Sequence, residues 1–337
     1  MIKLWIVLTL VGLISNLLFQ YQCITAVLID AIIVCPRFIL GYLATEIFLT
    51  LHNIKISDSF EQITKVVITF LFLLAIHDIV FWPFFEKSDF RYIMYSIKLL
   101  FPHPTFLSCA AATMLILLGY KNKENDNILF MFMASFLCVV TMRSKAIGFV
   151  LVYWMAYFYF QIAKKKNILL LGIVGCVVAI ISSWEIFSLT FLIADRFSPR
   201  SILLKDSLKL LVKHLPLGTG FGTYGSAVAA NYYSPIYEDL GYINFSGMNP
   251  NDTMFLMDSF WPIIFAQFGI IGTFIFVYII VIFIKKCIKK FKTDRKAGMA
   301  MLMVMIYMFI ISIAEAAFFG PTALLMFMLF AVFEKGN

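Results

Sequence analysis

The sequence has 337 residues, of which 62% are hydrophobic and 14% charged, where an ordinary soluble domain carries roughly 25% charged residues. With a mean hydropathy of +0.93 and 37 phenylalanines, it holds more apolar surface than one water-soluble core of this length can hide. That excludes soluble globular, disordered, collagen-like and disulfide-scaffold classes and implies a polytopic helical membrane protein. The formal charge of +8 arises largely from cations in short loops between apolar runs, so it reports topology and not a nucleic-acid partner.

A hydrocarbon core of about 30 Å needs about 20 apolar residues in a helix. Runs of that kind fall at 2–19, 24–51, 62–84, 104–120, 127–142, 145–163, 167–183, 261–284, 298–313 and 316–333, which predicts an all-α bundle of about 10 spans. The N-terminal run follows a single Lys3 and precedes no small-residue cleavage site, so it reads as the first span and not as a removed signal peptide. The second run is overlong and carries Pro36 and Arg37, so it reads as a kinked helix or as two short pieces.

Lys and Arg counts orient the chain. With the N-terminus inside, sixteen cations lie on the cytoplasmic side, seven of them between Lys285 and Lys296, against ten outside. Both termini are then cytoplasmic. Two outer segments of substance follow. One is 85–103, with Trp82, Phe84, Phe85, Tyr92 and Tyr95 near the interface; the other is 184–260, too long for a mere connector. No repeat or low-complexity tract stands out, so residues 1–337 read as one integral membrane domain with one large outer loop.

Within that loop, SPRSILLKDSLKLLVKHL (198–215) opens on a good N-cap, Ser198, and on Pro199 at the first helical position. Leu204, Leu208, Leu211 and Leu215 share one face, and Lys205, Lys209 and Lys213 form a second stripe. The spacing predicts an interfacial amphipathic helix, leucines toward the membrane and lysines toward lipid headgroups. Next, PLGTGFGTYGS (216–226) carries Gly218, Gly220, Gly222 and Gly225. It follows no strand, so its GxGxG string does not mark a nucleotide fold. Two readings stay open: a turn whose N–H groups face an anion, or a simple tight turn after the helix. Tyr232, Tyr233, Tyr237 and Tyr242, interspersed with Glu238, Asp239 and Asp252, suit sugar recognition, since apolar sugar faces stack on rings and hydroxyls bond to polar groups. Interfacial anchoring accounts for about half of the same aromatics.

Arg143 stands between two apolar runs, where an unpaired arginine is expensive. With Arg196 and Arg200 it makes a group suited to bidentate phosphate recognition. Span-end snorkelling for Arg143 and pairing with Asp195 for Arg196 are the plainer alternatives. Glu315 falls near the outer end of the last two spans. His214 and His103 are the outer histidines, and His214 suits acid–base work or a structural place. The six cysteines, Cys23, Cys35, Cys109, Cys138, Cys176 and Cys287, show no ligand-like spacing, and no HExxH, DxD or Ser/His/Asp pattern occurs. No cofactor or metal is expected.

Several elements taken together resemble a known family. Arg143-Ser144 lies between two spans, and an Arg-starting amphipathic segment leads into Pro216-Leu217-Gly218-Thr219-Gly220-Phe221-Gly222-Thr223-Tyr224. Asp258 then precedes Phe268-Gly269-Ile270-Ile271-Gly272. Over roughly residues 100–333 this order is similar to the bacterial O-antigen and capsule polymerases (Wzy type) of the O-antigen ligase/polymerase superfamily. The resemblance implies a metal-independent glycosyltransferase on the outer face of the bacterial inner membrane. It would transfer a growing glycan from undecaprenyl diphosphate to the non-reducing end of a new lipid-linked repeat unit, with membrane lipid and a chain-length regulator as partners.

By the same resemblance Arg143, Arg196 and Arg200 bind the diphosphate, with Lys205 and Lys209 assisting, and Asp258 or His214 helps the acceptor hydroxyl. Gly218, Gly220, Gly222, Tyr224, Tyr232 and Tyr233 then belong to the glycan site or its turn. The ligase branch carries a histidine where this chain has Asp258-Ser259, which weighs against ligase activity. A flippase for the same lipid-linked sugars is the alternative from a different class, though such proteins usually show internal repeats.

Overall fold

Backbone N–H and C=O groups have no water to turn to inside hydrocarbon, so long apolar runs close their hydrogen bonds within the segment, as helices. The protein is described here by a computed structural model over residues 1–52, 58–81, 84–86, 88–122, 125–162, 177, 181, 198–313 and 315–335, and it is predominantly helical. The first half carries α1 (Ile2–Phe19), α2 (Ile24–Ile29), α3 (Arg37–His52), α4 (Asp58–Val80), α5 (Pro104–Lys121), α6 (Ile128–Val140) and α7 (Ser144–Tyr157). The second carries α8 (Pro199–Lys213), α9 (Ala227–Asn231), α10 (Pro235–Asp239), α11 (Trp261–Thr293), α12 (Arg295–Ser312) and α13 (Pro321–Lys335). Between α4 and α5 a small antiparallel hairpin pairs β1 (Phe90–Arg91) with β2 (Met94–Tyr95), Phe90 opposite Tyr95.

Among the described residues five helices are long and apolar enough to cross a membrane: Ile2–Phe19, Ser59–Val80, Pro104–Lys121, Trp261–Thr293 and Arg295–Ser312. The pair Ile24–Val34 and Arg37–His52, bent by 44°, makes six if counted as one span. The overlong second run is thus two pieces joined by a π-helical turn at Asp30–Val34 and by Pro36, whose ring cannot continue a helix undistorted. The expected run at 127–142 becomes the 13-residue helix Ile128–Val140, and the run at 145–163 appears as Ser144–Tyr157 continued by a π-helical segment at Phe158–Ile162. The run at 316–333 starts with a 3₁₀ turn at Ala317–Phe319, which leaves α13 only 15 residues. The run at 167–183 lies outside the described residues.

The cation block at 285–296 is helical where a loop was expected. α11 continues to Thr293, and α12 begins at Arg295 after a turn in which Asp294 Oδ1 accepts the Ala297 N–H at 3.1 Å. Lysine is a good helix former and cations favour a helix C-terminus, so the helix runs on past its apolar part.

The chain divides into two compact units, each assembled from three segments. One comprises Met1–Gly41, Ser183–Lys286 and Ile311–Leu324. Its core is aromatic: Phe38 meets Trp5 edge-on at 5.3 Å and Phe318 at 5.9 Å, and Phe260 lies 5.0 Å from Phe318. Such pairs add about 0.5–1.5 kcal/mol each beyond the area they bury. On the outside, α1 leaves Ile6, Leu10 and Leu17 half exposed or more, a stripe that calls for an apolar surrounding.

The other unit comprises Tyr42–Ser182, Cys287–Ile310 and Leu325–Asn337. At one of its ends Glu61 takes Asn127 Nδ2 at 2.9 Å and Lys65 at 2.8 Å, while Lys296 donates to the Asn122 carbonyl at 2.7 Å. At the other end the hairpin segment is tied down by Ile97 N–H to Val140 O at 3.2 Å and by Arg143.

Candidate functional site

The glycine segment is buried throughout Gly218–Ser226. Its backbone donors go to the protein: Thr219 N–H to Ala266 O (2.8 Å), Gly220 N–H to Gln267 O (2.9 Å) and Phe221 N–H to Asn16 Oδ1 (2.7 Å). Gly222 N–H reaches Asp30 Oδ2 (2.6 Å), and Gly225 N–H reaches the Tyr237 hydroxyl (2.7 Å). Asn16, Gln22 and Gln267 donate in return to the carbonyls of Phe221, Gly222 and Tyr224 at 3.0, 3.0 and 2.9 Å. Of the two readings of these glycines, the structure builds the tight turn, and these five N–H groups are spent on protein acceptors.

What makes room for the turn is a break in α11. Gly269 leaves the helix with φ 59° and ψ −158°, so the carbonyls of Ala266 and Gln267 turn to Thr219 and Gly220 instead of to their own helix. A Cβ on Gly269 would collide with the Leu217 carbonyl, and one on Gly218 with the Gln267 carbonyl. Two backbones therefore meet with no side chain between them. The turn also reaches down beside α1, where the Phe221 ring covers Gly12, about two turns before the helix ends. Irregular backbone packed against apolar helices needs protein partners for its polar groups, and Asn16 and Asp30 supply them.

Above the turn sits a cluster of buried tyrosines. The Tyr224 and Tyr242 hydroxyls are 2.7 Å apart, and Tyr242 donates to Asp206 Oδ2 at 3.0 Å. Lys209 holds the other Asp206 oxygen at 2.7 Å. Burial pushes the phenols of Tyr224, Tyr237 and Tyr242 up, so all three remain protonated donors. The face of α8 that packs here is Leu203, Asp206, Ser207 and Leu210, continuing to His214, and not the leucine stripe. Tyr242 ties Asp206 into that face beside the buried Leu203 and Leu210. Leu204, Leu208 and Leu211 stay half-buried beside it, Leu215 is exposed, and Lys205 and Lys209 point outward. Tyr224 is fully enclosed, Tyr233 is half-buried with its hydroxyl on the Met248 carbonyl at 3.1 Å, and Tyr232 is exposed.

His214 is buried at the end of α8. Its Nδ1 lies 2.9 Å from the Leu210 carbonyl, which only accepts, so Nδ1 carries the proton and Nε2 accepts from the Tyr21 hydroxyl at 3.0 Å. Burial lowers its pKa, keeping the ring neutral. Both ring nitrogens are thus engaged.

Arg200 and Asp258, 58 residues apart in sequence, come together. Arg200 Nη2 lies 2.9 Å from Asp258 Oδ2, and Nε donates to the Asp258 carbonyl at 3.3 Å. The two side chains are 39% and 31% exposed, so the pair is partly solvent-accessible. Arg143 belongs to the other unit, where its guanidinium meets Asp89 at 2.9 Å and the His103 ring at 3.3 Å. Although partial burial alone would raise the Asp89 carboxyl, hydrogen bonds from Arg91 and Ser88 and the nearby Arg143 charge hold it down, at about 2. Arg143 thus has a carboxylate partner that the sequence did not point to. Arg196 lies outside the described residues.

Asp30, Asn16, Gln22, Gln267 and Tyr21 went unread in the sequence, although Asp30 carried a signal. A carboxylate inside an apolar run is costly enough to demand a specific partner. Among the described residues no three His, Cys, Asp or Glu side chains converge as a metal site. No protein-family model matches this chain, and no curated protein or solved structure matches it either.

Proposed function

We propose that the chain is a membrane glycosyltransferase that polymerises undecaprenyl-diphosphate-linked oligosaccharide repeat units on the outer face of a bacterial inner membrane. In this reading the protein has about ten spans and cytoplasmic termini, and residues 184–260 face outward. The observation that carries the reading is the solvent-accessible Arg200–Asp258 pair at the entrance to α11. It sets a guanidinium suited to diphosphate beside a carboxylate suited to an acceptor hydroxyl.

In the proposed step the acceptor hydroxyl oxygen bonds to the anomeric carbon of the donor, the anomeric C–O bond to phosphate breaks, and undecaprenyl diphosphate leaves. The hydroxyl proton passes to Asp258 and then to water. Arg200 offsets the charge of the departing diphosphate. Acid–base help typically supplies about 10²–10⁴-fold, and orientation of two lipid-anchored substrates much of the rest.

A flippase is the second reading, and the broken helices favour it. Two apolar helices are interrupted, one at Asp30–Pro36 and one at Gly269, and discontinuous helices frame the binding sites of many transporters. The deciding experiment is a gel of surface polysaccharide from a strain lacking the gene. Loss of the long ladder with single repeats retained supports the polymerase. Free unattached polymer points to a ligase, and lipid-linked repeats trapped on the cytoplasmic face point to a flippase.

A further inference from the structure

The outer hairpin of the Tyr42–Ser182 unit frames a cleft that none of the foregoing uses. It has a volume of about 450 Å³ and lies between the end of α4 and the hairpin, lined by Asp78, Glu86, Phe90, Tyr95 and Ser96 among others. That volume falls within the about 300–1,000 Å³ typical of small-molecule sites.

The walls are built, not incidental. Asp78 Oδ1 accepts the Phe84 N–H at 2.7 Å, and Glu86 is held by Lys98 at 3.0 Å. Phe90 and Tyr95 stand edge to face at 5.2 Å, yet remain 60% and 47% exposed. The hairpin under them is fixed by its own pairing and by Ser96 N–H to Asp89 O at 3.0 Å. The Ser96 hydroxyl is buried and finds no hydrogen-bond partner among the described residues, which is costly for a polar group unless something arriving in the cleft supplies one.

Two partly exposed aromatic rings, two carboxylates and an unspent hydroxyl around one cleft match the chemistry of a sugar ring, which offers an apolar C–H face and a rim of hydroxyl donors. We propose that this cleft binds carbohydrate, a neutral or N-acetylated sugar segment stacked on Tyr95 and Phe90, with its hydroxyls on Asp78, Glu86 and Ser96. With Glu86 offset by Lys98, Asp78 leaves the cleft net negative, which disfavours a uronic acid. The physiological occupant, the glycan of a lipid-linked substrate, rests on the proposed function. Asp89 immediately precedes Phe90 and pairs with Arg143, so the hairpin that carries the rings also contacts one of the arginines assigned to the diphosphate.

The test uses the purified full chain in lipid nanodiscs and saturation-transfer NMR with four probes: the methyl glycosides of glucose, galactose, N-acetylglucosamine and glucuronic acid. Ring C–H signals are expected from the first three and not from the glucuronide. Tyr95→Ala weakens binding by about 3- to 10-fold, while Tyr95→Phe, which keeps the ring, retains it. Glu86→Gln admits the glucuronide. Absence of signal from all four probes, or equal signal from the wild type and Tyr95→Ala, would overturn the assignment. Because the assay needs no turnover, it separates from the gel. A vanished ladder with no probe binding rejects the cleft and keeps the polymerase, whereas probe binding with an intact ladder does the reverse.

Discussion

The carboxylate of Asp30, in the π-helical turn between α2 and α3, accepts the backbone N–H of Gly222 at 2.6 Å across 192 residues of sequence. An acid placed in an apolar helix is therefore the anchor of an irregular turn from the opposite half of the chain. Asp30 and Gly222 are both fully buried, so neither has water as a substitute partner.

Replacing that acceptor tests the anchor directly. Asp30→Leu leaves the Gly222 N–H buried without its partner and destabilises the protein by about 1–3 kcal/mol. The thermal midpoint of the detergent-purified variant falls accordingly, and protease cuts within 216–226 appear earlier. An unchanged midpoint would show that the turn holds without Asp30.

Two glycines with the same backbone sign separate strain from collision. Gly269 has φ 59° and no room for a Cβ, whereas Gly241 has φ 75° and open space around it. Gly269→Ala combines a backbone penalty of about 1–3 kcal/mol, since φ 59° with ψ −158° is a region only glycine adopts readily, with a backbone clash, and so gives little monodisperse protein. Gly241→Ala carries the left-handed penalty of about 1–2 kcal/mol without a clash and stays folded. Size-exclusion profiles of the two variants make the comparison; matching profiles would remove the argument for the α11 break.

For Arg200 and Asp258, stability and activity are expected to part company. Both are about a third exposed, so solvent screens the pair to roughly 0–1 kcal/mol. Arg200→Ala and Asp258→Ala therefore leave the melting point within a few degrees and abolish long polymer. The exchange Arg200→Asp with Asp258→Arg restores the ion pair and not the polymer. Recovery of the ladder by the exchanged pair would reduce both residues to a structural tie.

His214 predicts a pH dependence. Burial depresses its folded pKa below the ordinary value, so the neutral ring is favoured in the folded protein and the unfolded chain binds the extra proton. Stability from this group is complete above the unfolded pKa of about 6.5 and is lost as pH falls through the folded value. Melting points measured from about pH 7.5 down to 5 should decline more steeply for the wild type than for His214→Gln, which does not titrate. Parallel curves would mean that the ring is neutral for no energetic reason.

Much of the architecture was legible because it depends on local composition. The apolar runs within the described residues became helices, Pro36 divided the second run, and Pro199 opened α8 as expected. Span count was less legible, since a hydropathy run does not show that α6 stops at Val140 or that the last run opens with a 3₁₀ turn before Pro321. The candidate site was legible in kind but not in pairing. Arg200, Asp258 and Arg143 stood out as charges beside apolar runs, yet that Arg200 meets Asp258 while Arg143 meets Asp89 depends on contacts between distant segments.

By itself, then, the sequence determined a helical, membrane-type chain with its charges gathered at the ends of apolar runs, because the burial of apolar side chains and the closing of backbone bonds act over a few residues. Only the tertiary structure decided that the glycine segment is a buried turn, that α8 buries Asp206 and His214 in preference to its leucine stripe, and that α11 breaks at Gly269. Each of those depends on polar groups finding partners tens to hundreds of residues away, with an unmade buried hydrogen bond costing more than a misplaced leucine.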